Sequence, residues 1–151
     1  MRAQLRPSFL VVATLLLGLA LSAIAGDQPA VPAGSAGVTE TRVVAYYFHG
    51  NVRCASCRKL EAYAEEAIVQ GFADDLATGR LEWRAVNTDQ PENAHFVKDF
   101  ELTAKSVVLV SYRAGEVVQF ENLTRVWQLL RDKDAFLGYV RDSTRELLAE
   151  G

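Results

Sequence analysis

Apolar and polar positions along this chain switch between two periods, and the switches mark its elements. Arg42-Val43-Val44-Ala45-Tyr46-Tyr47-Phe48 is β-branched and aromatic with no charge after Arg42, the pattern of a strand buried on both faces. From Ala55 the apolar residues Leu60, Ala64, Ala67, Ile68, Phe72 and Leu76 recur at helical spacing, while Glu61, Glu65, Glu66 and Asp75 fall on the other side. That spacing predicts one amphipathic helix ending near Gly79. Leu81–Val86 alternates and predicts a second strand, followed by a turn at Asn87–Pro91 and a short helix over Glu92–Phe100 with Ala94, Val97 and Phe100 inward. Ser106–Tyr112 predicts a third strand, Arg113–Glu116 a hairpin link, and Val117–Phe120 a fourth strand. Two terminal helices are marked by Val126, Trp127 and Leu130, then by Phe136, Val140, Leu147 and Leu148. The order is βαβ, short helix, ββ hairpin, C-terminal helices. It predicts an α/β domain over residues 41–151, with a mixed four-stranded sheet flanked by helices.

The N-terminal part follows a different plan. Arg2 and Arg6 precede an apolar run over Phe9–Leu21, and small residues at Ala23 and Ala25 close it. Basic head, apolar centre and small-residue exit predict a secretory signal peptide over residues 1–25. The alternative is an uncleaved outward-facing anchor, since the 17 residues from Phe9 to Ala25 approach the lower limit of a membrane span. Either way the expectation is export, to a periplasm-like compartment in a bacterium, with any membrane attachment made only through this segment. Residues 26–40, rich in Gly, Pro, Ala and Ser, read as a flexible linker.

Composition narrows the function. Half of the 151 residues are hydrophobic and 23% are charged, which fits a globular domain. The net charge of −3 falls to −5 without Arg2 and Arg6, and excludes the basic footprint of a nucleic-acid binder. The chain has no phosphate-cradling glycine loop and no nicotinamide fingerprint.

The strong chemical signal is Cys54-Ala55-Ser56-Cys57, placed after the first strand and on the first turn of the first helix. The unpaired N–H groups of a helix start stabilise a thiolate there. Cys54, at the tip, is the expected attacking thiolate; Cys57, one turn in, is the expected resolving thiol. Arg53, Arg58 and Lys59 flank the pair and are expected to lower the thiol pKa values.

The arrangement resembles the thioredoxin superfamily from about Arg42 onward. The strings YYFHGNVRCASCRKLE, NTDQPENAHFVKDFEL and KSVVLV, with an NL–VW pair and a later F–YV, resemble a small bacterial family, the nitrophenyl compound nitroreductase subunit ArsF family. That resemblance implies a thioredoxin-like fold, a redox-active C-x-x-C needing no cofactor, and a link to arsenic resistance. Thioredoxins carry a Trp before the first cysteine, where this chain has Arg53. They also carry a cis-proline before the third strand, where it has Ser106. The second departure weakens the usual platform for an extended peptide.

Several readings of the same residues compete. The first is a thiol–disulfide oxidoreductase with a protein redox partner. The second is a soft-ion module in which Cys54 and Cys57, with His49 as a weaker third ligand, hold As(III) or Cu(I). The third is a noncatalytic subunit. A permanent staple is disfavoured because so short a loop removes little chain entropy. A four-ligand zinc site is disfavoured because only His49 and His95 remain as nitrogen donors. His49 and His95 themselves read first as backbone-bonded or exposed histidines. Trp83, Trp127, Tyr46, Tyr47 and Phe48 read as core. The acidic run Glu61, Glu65, Glu66 and the charged stretch Arg141–Glu146 read as solvated helix faces.

Overall fold

The structure, a computed structural model, describes residues 41–151; the expected signal peptide and linker lie outside those residues. The described chain runs β1 (Thr41–His49), α1 (Ala55–Gly71), α2 (Ala73–Thr78), β2 (Leu81–Asn87), a 3-10 turn (Pro91–Asn93), α3 (His95–Asp99), β3 (Ser106–Arg113), β4 (Glu116–Asn122), α4 (Val126–Leu129) and α5 (Lys133–Glu150). The sheet order is β2-β1-β3-β4. β1 pairs parallel with β2 and antiparallel with β3, and β3 pairs antiparallel with β4. Parallel pairing of β1 and β2 requires the α1 crossover, and the hairpin supplies the antiparallel half. At the hairpin tip Ala114 and Gly115 both have positive φ, the geometry that lets a two-residue turn follow the twist of its strands.

Because β1 is central, its residues are buried alternately on two faces. Val43, Ala45 and Tyr47 join Leu60, Ala64 and Ile68 of α1 and Phe136 and Val140 of α5 in the larger core. Val44, Tyr46 and Phe48 join Val108, Val110 and Phe100 in the smaller one. Helices therefore cover both faces, but unequally: α3 is short, and Val117 and Phe120 of the edge strand β4 remain exposed.

Four expectations change against this frame. The first helix ends at Gly71 rather than near Gly79. The side chain of Arg141 packs on Gly71, where an added Cβ would lie 3.2 Å from Arg141 Cγ, and Arg141 Nε donates to the Ala67 carbonyl at 3.3 Å. Arg141 is thus half-buried, and Ser143 and Thr144 are buried too, so only part of the 141–146 stretch is solvated. The short helix is a 3-10 turn followed by α3, and it points Phe96 and Phe100 inward while Ala94 and Val97 are exposed. Finally, Trp127 is 38% exposed rather than core.

Candidate active site

β1 delivers the chain to the site, and the loop that follows it is pinned. Thr88 N donates to His49 O at 2.7 Å, Asn51 N donates to Asp89 Oδ2 at 2.7 Å, and Asn87 Nδ2 donates to Asn51 Oδ1 at 2.8 Å. Gly50 is required by this packing, since a Cβ there would lie 2.7 Å from Asp89 Oδ2. The turn after β2 therefore fixes the loop that carries the cysteines.

Cys54 is the N-cap of α1. Its extended backbone (φ −72°, ψ 168°) leaves the side chain over the first turn, where Sγ accepts from Cys57 N at 3.2 Å. Cys54 is exposed; Cys57 is buried at 2%. The two sulfurs form a disulfide, with Cα atoms 5.0 Å apart. A sulfur that accepts a helix-start N–H is placed to hold negative charge. From beneath, the Tyr47 hydroxyl donates to the Cys57 carbonyl at 2.8 Å, tying the first turn of α1 to β1. Burial pushes the Tyr47 pKa above its usual 10, against the opposing pull of the Arg53 cation.

The flanking cations do not all face the sulfurs. Arg53 is ion-paired with Glu61 and lies with its guanidinium carbon 6.0 Å from the Tyr47 ring centroid. Lys59 places its ammonium 5.3 Å from the Tyr63 ring centroid. Arg58 donates to the Arg53 carbonyl at 2.6 Å. Of the acidic run, Glu65 is exposed, Glu61 serves Arg53, and Glu66 pairs with Lys133 at 2.8 Å.

Beside the loop lies a cleft of about 280 Å³ lined by Phe48, His49, Val52, Asp89, Val97 and Lys105 among others. On its far wall two consecutive carbonyls are already engaged: Ser106 Oγ donates to Ala104 O at 2.9 Å, and Trp127 Nε1 donates to Lys105 O at 2.8 Å. Ser106 opens β3 opposite Phe48 and is buried.

His49, half-buried, has Nδ1 3.0 Å from the Gly50 carbonyl and stacks on Tyr47. His95 is exposed, with Nδ1 2.9 Å from the Glu92 carbonyl. Among the described residues no group of three or more His, Cys, Asp or Glu side chains is placed to hold a metal ion, and no helix is long and apolar enough to cross a membrane. The contributions of Tyr47, Gly50, Asp89, Glu61 and Trp127 were not singled out by sequence. Only the Asn87-Thr88-Asp89 turn after a strand carried a local signal.

Strand order β2-β1-β3-β4 with a parallel crossover, an antiparallel hairpin and a C-x-x-C at the start of the crossover helix is the thioredoxin-like fold. No family model matches the chain, and no curated protein matches it. Among solved structures it is similar to a thioredoxin from Fasciola hepatica, at 20% identity and a TM-score of 0.37, over 60% of this chain and 79% of that one. It is also similar to the oxidized form of mitochondrial thioredoxin 3 from Saccharomyces cerevisiae, at 18% identity and a TM-score of 0.35, over 62% and 79%. Likenesses of that size add nothing to the topology itself.

Proposed function

We propose that this protein is an exported thiol–disulfide redox protein that exchanges electrons with a dedicated protein partner. Cys54 is its attacking sulfur and Cys57 its resolving one. The observation that carries this reading is the asymmetry of the pair: Cys54 is exposed at the helix cap, while Cys57 is buried one turn behind it. In the reducing direction an exposed thiolate attacks the partner's disulfide and expels one partner thiolate. The Cys57 sulfur then attacks the mixed disulfide, closing Cys54–Cys57 and releasing the second partner thiolate. Two electrons pass to the partner, and the reverse sequence oxidises a dithiol.

A dedicated partner is favoured over general protein disulfides because the wall of the cleft has its Ala104 and Lys105 carbonyls engaged by side chains. Strand addition needs backbone groups free to pair. The resemblance to an arsenic-linked family supports a setting in metalloid resistance, and the basic, apolar and small-residue pattern of residues 1–25 supports export. A dithiol also suits As(III) or Cu(I), but among the described residues no third His, Cys, Asp or Glu is grouped with the pair to hold an ion, so the exchange reading stands first.

The test is a trap. Cys57→Ser protein, expressed with its leader, should accumulate one covalent adduct that thiol reductant releases, and Cys54→Ser should accumulate none. Adducts of equal yield through either cysteine would overturn the assigned roles, and none through either would overturn the reading.

A further inference from the structure

The residue immediately before the attacking sulfur is a cation turned onto the helix. The Arg53 guanidinium is paired with Glu61 and rests near the Tyr47 ring. Its Nε and Nη2 are both buried without a hydrogen-bond partner, so the link from Nη2 to Glu61 is an ion pair alone. A buried donor left unpaired costs stability and calls for a reason. Glu61 lies four residues beyond Cys57 on α1, which puts the two side chains on adjacent turns of one face. Cation and carboxylate therefore meet beside the dithiol, with the cation's own backbone leading straight into Cys54.

We propose that the Arg53–Glu61 pair sets the reactivity of Cys54: Glu61 holds the guanidinium against Tyr47 and offsets its charge, so that the thiolate is stabilised less than a free neighbouring arginine would stabilise it. The proposal rests on the exchange reading above. When a partner dithiol reduces the protein, it loses two electrons and two protons and becomes a disulfide. The Cys54–Cys57 bond breaks, Cys57 takes one proton, and Cys54 either takes the other or passes it to water and stays a thiolate. With Cys57 protonated, the charge left to respond to the pair is the one on Cys54, which follows Arg53 directly in the chain. Arg58 and Lys59 flank it on the helix, Tyr47 and His49 belong to β1, Asp89 to the turn after β2, and Lys105 to the loop before β3; of these, Lys59 is drawn off to Tyr63 and Asp89 is bonded at Asn51. Arg53 and Glu61 act through the sulfur and are positioning residues.

The test uses alkylation of Cys54 against pH in the Cys57→Ser background, and the thiol–disulfide equilibrium constant in the two-cysteine protein. Glu61→Gln leaves the arginine uncompensated. It should lower the apparent thiol pKa, raise alkylation below that pKa about 3-fold, and shift the redox equilibrium toward the reduced form by a similar factor. Arg53→Met should move all three the other way, and Arg53→Lys, which keeps the charge, should fall between Arg53→Met and the parent. If Arg53→Met does not fold, Glu61→Gln and Arg53→Lys carry the comparison. Folded variants that leave the pKa unmoved, or that all move it in one direction, overturn the proposal. A parent protein with no reversible dithiol–disulfide couple would instead overturn the exchange reading, while the alkylation profile would still report on the pair.

Discussion

Removing one hydroxyl tests how the site is built. Tyr47 is fully buried in the centre of β1, and its hydroxyl donates to the Cys57 carbonyl at 2.8 Å. Tyr47→Phe keeps the ring and its packing against the larger core and deletes only that bond. A buried hydrogen bond contributes about 0.5–1.5 kcal/mol net. For a domain of this size that loss lowers Tm by about 2–6 °C. Tyr47→Ala, which also opens a cavity, should cost about 3–5 kcal/mol. The pH dependence carries a second signature. Because burial raises the Tyr47 pKa above 10 in the folded state, the unfolded chain loses this proton first as pH rises, and stability falls above pH 10. Urea unfolding at pH 7 and again above pH 10 measures both effects: the parent should lose stability more steeply than Tyr47→Phe. A Tyr47→Phe variant as stable as the parent at pH 7, with the same alkaline slope, would refute the claim that this hydroxyl anchors the cysteine turn.

Three further outcomes follow from the same geometry. Leu60→Ala empties a fully buried position on the inner face of α1 and should cost about 2–5 kcal/mol in chemical denaturation. Glu121 lies on the exposed strand β4, and partial desolvation of its carboxyl together with the neighbouring charge of Glu146 raises its pKa; the unfolded chain therefore gives up that proton first, and a small part of the stability is lost as pH climbs out of the ordinary carboxyl range. Glu121→Gln should flatten that part of the pH–stability profile, measured by thermal melts in a buffer series. Trp127→Phe removes the donor to the Lys105 carbonyl while keeping an aromatic ring, and should cost about 0.5–1.5 kcal/mol by the same denaturation assay.

Much of this architecture was legible from the residues. The uncharged, β-branched and aromatic run Val43–Phe48 reads as a strand covered on both sides, and β1 is central in the sheet. The C-x-x-C was legible because its chemistry depends on a local fact, its place at a helix start. What escaped were contacts made across the chain. The helix breaks where Phe72 leaves helical backbone, and the adjoining turn is covered by Arg141, 70 residues after Gly71, a contact no window of local periodicity includes. Val97 and Phe96 compete for the same inward face of a short helix, and two turns of sequence hold too few positions to decide between them; the aromatic contacts of Phe96 with Tyr46 and Phe48 decided it. Trp127 looked apolar enough for a core, yet its indole N–H is drawn to a loop carbonyl, which leaves part of the ring in solvent. The Arg53–Glu61 pair was hidden for a similar reason: composition shows a cation near the thiols but not which way it turns.

The most direct test of the central claim is a redox titration of the folded protein in thiol–disulfide buffers of graded potential, read by the mass added to each cysteine on alkylation. The account predicts one reversible transition in which Cys54 and Cys57 open and close together, with two electrons per molecule. A pair that stays closed under the strongest reducing buffer while the fold persists, or two thiols that label independently, would contradict it.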